Sequence, residues 1–229
     1  MRATAFAIAA LILCAASASA QADTSAVAVP AAHISATMTA KDAGSAQWFF
    51  AMAPDDVLPL LPVNTRLDML DYYNSGVERP SRDAAGSRAI VTSSTNRRLT
   101  FDTGDGSTYE LAVYTAGRDT IVALVETLHY PMADSRVEWY DSRWRPLQPL
   151  LGEPDLQAWL TRAGRRHRGE VEEAIPFMTA EAVTDPDAGT LTLTRTIDGY
   201  FLPADTPDAL RWLEPRLVYA LHGSRFVRR

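Results

Sequence analysis

The chain has 229 residues, 47% of them hydrophobic and 22% charged. Those proportions belong to an ordinary globular protein and exclude collagen-like, coiled-coil and wholly disordered chains. Twenty-two basic residues against 28 acidic give a formal charge of -6, so the basic excess that nucleic-acid binding requires is absent.

The first element in chain order is a targeting segment. Arg2 is a positive n-region, Ala5 to Ala16 an apolar run through Leu11, Ile12, Leu13 and Cys14, and Ala18-Ser19-Ala20 an A-x-A cleavage site. Residues 1–20 therefore read as a secretory signal, with the mature chain starting at Gln21 and a periplasmic or secreted destination. The run is shorter than the roughly 20 residues of a membrane-spanning helix, and no later stretch is long and apolar enough to span. A lipidated cysteine follows a small residue, and Leu13 precedes Cys14, so Cys14 reads as part of the discarded signal. The mature chain is then cysteine-free, and in an oxidising compartment its core must hold it together without disulfides.

Residues 21–46 are rich in Ala, Ser and Thr without a sustained period and read as a flexible lead. The fold is expected to begin near Gln47-Trp48-Phe49-Phe50. Asp55-Asp56 then precedes Val57-Leu58-Pro59-Leu60-Leu61, a short helical turn ended by Pro62, with the two aspartates capping its start. Asn64 is an N-cap for a helix from Thr65 to about Tyr73. Leu67, Met69, Leu70 and Tyr73 fall on one broad side of it, Asp68 and Asp71 on the other, and Gly76 at its end. Pro80 to Gly86 reads as a polar loop.

Strands follow. Ala89–Thr92 and Arg98–Phe101 precede a Gly104-Asp105-Gly106 hairpin turn. Tyr109, Leu111 and Val113 alternate with Glu110, Ala112 and Tyr114. Ile121 to Val125 is apolar on both faces, which places it centrally in a sheet. Val137–Tyr140 is a further strand, and Trp144, Pro146 and Leu147 close the first half. The second half opens on a helix from Pro154 to about Arg162. The basic run Arg165-Arg166-His167-Arg168 comes next, followed by Glu170, Glu172 and Glu173. Phe177–Val183 reads as a strand and Asp185 to Gly189 as a turn. Leu191, Leu193 and Ile197 alternate with Thr190, Thr192, Thr194 and Thr196, the pattern of an antiparallel strand with one wet face. Pro207–Leu213 is a short helix. Arg216 to Arg228, turning at His222-Gly223, is a terminal hairpin.

The fold class is therefore α+β: antiparallel sheet with a few short helices packed on one face. Residues 47–150 and 151–229 form two halves of one compact unit. Each half reads as helix followed by strands, which raises a structural duplication split near Gly152, although no sequence identity between the halves is visible.

Few residues carry recognisable chemistry. His33, His129, His167 and His222 show no helical ligand spacing, and no metal site or cofactor is expected. Asp102, Asp105 and Glu110 around Gly104 and Gly106 lack the alternate-position spacing of an EF-hand and read as turn chemistry. His129, Asp134 and Ser135 lie within one loop from Thr127 to Arg136, whereas a triad usually draws on distant segments. Turn capping accounts for them more simply. That loop, with Glu126, Thr127, His129, Asp134, Ser135 and Arg136, is nevertheless the candidate functional loop. Asp68 and Asp71, at i and i+3 on a helix, and Arg165, Arg166 and Arg168 are candidate binding residues.

Three stretches occur together in order. The first is Leu58-Pro59-Leu60-Leu61 with Asn64 through Asp71. The second is Thr127, Pro131 and Asp134-Ser135, then Tyr140-Asp141 and Trp144-Arg145-Pro146-Leu147. The third is Leu191-Thr192-Leu193-Thr194 with Gly223-Ser224-Arg225-Phe226. This ordered set, from about Trp48 to Phe226, resembles the Domain of Unknown Function 3256 family, found in secreted proteins of diderm bacteria. One departure stands out: the family pattern favours Trp then Asp before the last glycine, where this chain has Leu221 and His222. The resemblance implies location and fold, and it supplies no activity and no catalytic residues.

Three readings of function follow. The first is a non-catalytic periplasmic module that binds a protein, peptide or envelope component through a sheet edge or an aromatic face, the Thr190/Thr192/Thr194 face and the terminal hairpin being candidate surfaces. The second is a hydrolase of unrecognised type using the Thr127–Arg136 loop. The third is a small-ligand carrier with its cleft between the two halves. Absent cofactor motifs and absent catalytic constellations favour the first.

Overall fold

A computed structural model describes residues 42–104, 106–152 and 154–229. The expected signal segment, nearly all of the expected lead and Asp105 lie outside the described residues.

Apolar alternation builds two antiparallel meanders. The first sheet holds β1 (Ser81–Arg82), β2 (Arg88–Ser94), β3 (Arg98–Thr103), β4 (Ser107–Ala116), β5 (Asp119–Leu128) and β6 (Asp134–Asp141), paired in chain order. The second holds β7 (Ala180–Asp185), β8 (Thr190–Arg195), β9 (Arg216–His222) and β10 (Arg225–Arg228), also paired in chain order. The first sheet lies in the middle of three layers. Leu111, Val113, Val122 and Leu124 face helices α1 (Ala46–Met52) and α2 (Val63–Asn74), packing with Phe49, Phe50, Leu67 and Leu70. Ala112, Tyr114, Ile121, Ala123 and Val125 face the other way, onto Leu191, Leu193, Leu217 and Phe226 of the second sheet. This sandwiching is why Ile121–Val125 reads as apolar on both faces. β5 is interior but second from the edge, because β6 lies outside it. The α+β class holds, but the helices are not all on one face: α1 and α2 cover one face of the first sheet, whereas the short helices of the second half pack into the core on the other, through Trp159 and Val171.

Several local expectations are corrected. The fold begins with α1, whose N-cap Ser45 accepts a hydrogen bond from the Trp48 N–H at 3.1 Å. Val57–Leu61 is a series of turns and no helix; Pro59 supplies no N–H to continue one. Helix α2 starts at Val63, so Asn64 lies inside its first turn, and Pro62 precedes it without a side-chain cap. The Pro80–Gly86 loop contains β1, paired to β2 through Ser81 and Ala89. The helix expected from Pro154 shrinks to α3 (Leu156–Trp159), capped by Asp155, because Leu160 leaves it to bridge Leu213. The stretch from Gly164 to Ala174 is helical throughout: a 3₁₀ turn, Gly164–His167, runs into α4 (Arg168–Ala174). β7 begins at Ala180, three residues later than the expected strand, and β8 stops at Arg195, leaving Ile197 in a 3₁₀ turn. Thr190, assigned to the wet face, is buried. β8 is interior to its sheet, so the threonine face is no edge for an added strand.

Trp144 closes the first half as expected, buried against Phe49 and Tyr140. Its backbone is left-handed at φ 60°, held by Asp141, whose carboxylate accepts the N–H groups of Arg143 and Arg145 at 2.8 and 3.0 Å.

Candidate functional site

The expected Thr127–Arg136 loop is mostly strand. β5 runs through Leu128 and β6 begins at Asp134, so Glu126 faces Arg136, Thr127 faces Ser135 and Leu128 faces Asp134 across a hairpin. Alternation then divides the candidate residues between the two faces.

One group joins the sheets. β7 is an edge strand, and its Ala180, Ala182 and Thr184 N–H groups point away from β8. The Asp134 carboxylate accepts from Ala180 N at 3.2 Å, the Ser135 hydroxyl from Ala182 N at 2.9 Å, and the Glu110 carboxylate from Thr184 N at 2.8 Å. Arg98 donates to the Thr184 carbonyl at 3.1 Å, and Thr196 Oγ1 donates to the Ala133 carbonyl at 2.6 Å. The Thr127 and Ser135 hydroxyls lie 2.7 Å apart. Side chains of the first sheet thus occupy an edge that would otherwise template another strand. His129 is exposed and bonds Thr108 Oγ1 at 2.7 Å; among the described residues no hydrogen bond links it to Asp134 or Ser135. Replacing Ser135 with alanine strands the Ala182 N–H, and a loss of about 1–3 kcal/mol in urea denaturation is expected. An unchanged midpoint would remove Ser135 from the joint.

Glu110 makes the joint pH-sensitive. Burial, opposed by the Thr184 hydrogen bonds, raises its pKa above the ordinary 4.5. A carboxyl with a raised folded value supports the fold while protonated, and that support is lost as pH rises through the folded value. Glu110→Gln keeps an acceptor for Thr184 and removes the buried charge. Thermal melts should therefore show the variant gaining on the parent at neutral pH relative to its standing under acidic conditions; the reverse trend would contradict the assignment.

The other face holds a cleft of about 290 Å³. Val57 to Leu61 form one wall, and Phe101, Tyr109 and Leu124 of β3, β4 and β5 form the floor. Thr103, Glu126, Arg136, Glu138 and Asp56 supply its polar groups. Tyr109, whose ring stacks on Phe101 at 5.0 Å, donates to Glu126 Oε1 at 2.7 Å. Tyr140 donates to Glu138 Oε2 at 2.7 Å, and Arg136 Nη2 lies 2.5 Å from Glu138 Oε1. Burial, together with the Glu138 hydrogen bond and charge, pushes the Tyr140 pKa up and keeps its hydroxyl a donor. Of the candidate loop, Glu126 and Arg136 line this cleft, while Thr127, Asp134 and Ser135 serve the sheet joint. Sequence reasoning missed Asp56, Tyr109 and Glu138. The alternation of Tyr109, Leu111 and Val113 puts Tyr109 on this face, whereas placing Glu138 there needs the β5–β6 register that pairs Glu126 with Arg136.

The remaining candidates do not converge. Asp68 and Asp71 are exposed on α2. Arg168 pairs with Glu172 at 2.6 Å and His167 with Glu170 at 2.9 Å, while Arg165 and Arg166 are exposed at the same helical end. Exposed pairs of this kind contribute little. Among the described residues no three His, Cys, Asp or Glu side chains are grouped to hold a metal ion, and no helix is long and apolar enough to cross a membrane.

Helices, a six-stranded meander and a four-stranded meander in three layers define an α+β protein with a small cleft between the Val57–Leu61 turns and the first sheet. The chain belongs to the DUF3256 family, described as proteins of unknown function, whose sequence profile matches residues 36–226. Its fold is similar to that of a domain of an uncharacterized protein from Porphyromonas gingivalis W83. The TM-score is 0.69 and the identity 20%, over 82% of this chain and 100% of that one; a likeness at that identity concerns the fold. No curated protein matches the chain.

Proposed function

We propose that the protein is an exported, non-catalytic binding module that takes a side-chain-sized group of a protein, peptide or other envelope component into the cleft between the Val57–Leu61 wall and the first sheet. The export half of this reading rests on the signal features of residues 1–20. The binding half rests on one observation: apolar walls and paired polar groups converge in a concavity near the lower size limit of ligand pockets. The cleft lies within the first half of the chain, so a carrier site between the halves is not part of the reading. Neither is the triad, whose members bond separate partners.

The test is a screen of chemically diverse amines, acids, sugars, lipids and metal ions by thermal shift, followed by amide chemical-shift mapping on the mature chain. Compounds that raise the melting temperature and perturb Val57–Leu61, Tyr109 and Glu126 together support the reading. Hits mapping only elsewhere, or no hits, overturn it.

A further inference from the structure

We infer that the group bound in this cleft is a primary ammonium carried on an unbranched apolar stem. The inference rests on the binding reading above and concerns which groups the cleft leaves open. Tyr109, which lines the cleft, bonds Glu126 Oε1, and Tyr140, outside the lining, bonds Glu138 Oε2. Thr103 Oγ1 is directed at the Ser107 carbonyl. Glu138 has both oxygens engaged, the second by Arg136. The rest of the Arg136 side chain is turned to solvent, 74% exposed. Among the described residues Glu126 Oε2 has no hydrogen-bond partner, and neither does the Asp56 carboxylate at the exposed side of the cleft. The open groups are therefore acceptors, and the three carboxylates exceed the single arginine. A ligand that complements them carries donors and positive charge.

Two cations fit that description differently. A guanidinium presents a planar fork suited to both oxygens of one carboxylate, whereas an ammonium is a compact point charge with rotatable donors. Glu126 offers one open oxygen, because Tyr109 holds the other. That geometry favours the ammonium. Val57, Leu58, Leu61, Phe101 and Leu124 give the stem an apolar channel, the manner in which a lysine side chain buries its methylenes and keeps its charge in a polar setting. A lysine presented by a polypeptide and a free alkylamine share this chemistry.

The experiment titrates the mature chain with n-hexylammonium, hexan-1-ol, hexanoate, n-butylguanidinium and a capped lysine-containing pentapeptide, followed by calorimetry and amide shifts. Hexylammonium is expected to bind roughly tenfold more tightly than hexanol, since a charge-assisted bond exceeds a neutral one, and more tightly than the guanidinium; hexanoate binds least. Glu126→Gln, which still accepts from Tyr109, should lower ammonium affinity roughly tenfold while leaving hexanol unaffected. Asp56→Asn at the exposed side provides a second variant, with melts confirming that both fold. A pentapeptide tighter than hexylammonium assigns the polypeptide source, and a weaker one assigns the free amine. Equal binding of all hexyl probes, or tighter hexanoate or guanidinium, overturns the ammonium class and leaves the cleft a binding site. Failure of every probe to shift the cleft residues also overturns the class, and the broad screen then decides the binding reading separately.

Discussion

Asp55→Ala is expected to destabilise the protein by about 3 kcal/mol, and adding Arg66→Met to recover most of that loss. Arg66 projects from α2 into the protein, its side chain 2% exposed, and its Nη2 meets Asp55 Oδ1 at 3.1 Å. Among the described residues the Arg66 Nε and Nη1 atoms have no hydrogen-bond partner. Burial lowers the guanidinium pKa and the Asp55 charge raises it again; arginine keeps its proton either way. Removing Asp55 leaves a buried cation uncompensated, a change that costs about 3–5 kcal/mol in buried pairs. Asp55 itself is 67% exposed, so water shares its role and the low end of that range applies. Methionine at position 66 fills similar space with no charge to desolvate, and such replacements are often neutral or stabilising. A double-mutant cycle by urea denaturation isolates the coupling. Asp55→Ala within about 0.5 kcal/mol of the parent would show that the guanidinium reaches water, since ordinary surface substitutions fall in that range. The pair also bears on the cleft: Asp55 opens the chain of turns whose Val57–Leu61 portion is the cleft wall, a segment tied at its far end by Ala84 N donating to the Leu60 carbonyl at 2.8 Å. Loosening the first anchor should broaden the amide resonances of that wall before the sheet is affected.

Arg66 also marks where sequence reading ends. An arginine among Asn64, Thr65 and Asp68 looks solvated, and nothing local reveals the turn that folds over it. The strands were legible where one face is apolar and a glycine turn follows, as in Arg98–Phe101 before Gly104, or Arg216–Leu221 before Gly223. The second half of the β5–β6 hairpin was legible only from Val137 onward. Asp134 and Ser135 are polar because they bond an edge strand some 45 residues further along the chain, and Thr127 because it bonds Ser135; a long-range partner of that kind makes a buried surface look like a loop. The same misreading separated Glu126 from Glu138. Without the register that pairs Glu126 with Arg136, the two glutamates belong to no common face, and the cleft stays invisible. The local helices of the second half failed for a related reason: Leu160 leaves its helix for a bridge to Leu213, a tertiary preference that outweighs the propensity of the preceding turn.

That bridge lies beside the most tightly packed glycine in the protein, and Gly164→Ala should cost about 3 kcal/mol. Gly164 is buried where the 3₁₀ turn begins, and its N–H donates to Thr161 Oγ1 at 2.9 Å. A Cβ there would lie 2.2 Å from the Trp212 carbonyl oxygen and 3.0 Å from both Thr161 Oγ1 and Trp212 Cβ. The first contact is with backbone, and that backbone is held. Thr161 N donates to the Trp212 carbonyl at 2.8 Å, and Glu214 N donates to the Trp159 carbonyl at 2.7 Å. The Trp212 ring is fixed as well, with His167 stacked at 4.1 Å and Arg211 placed at 4.8 Å from its centroid. Relief therefore requires separating the Trp159–Thr161 and Trp212–Glu214 segments, which carry Leu160 and Leu213 into the second core. Gly169, five residues later in α4, is the internal control: a Cβ there meets nothing within 4 Å, and Gly169→Ala should stabilise the helix by about 0.5 kcal/mol through a less flexible unfolded chain. Opposite signs for the two glycine-to-alanine changes in urea denaturation would tie the loss to the Trp212 contact. A loss of equal size at both positions would instead point to a general intolerance of this helical segment and remove the contact as its cause.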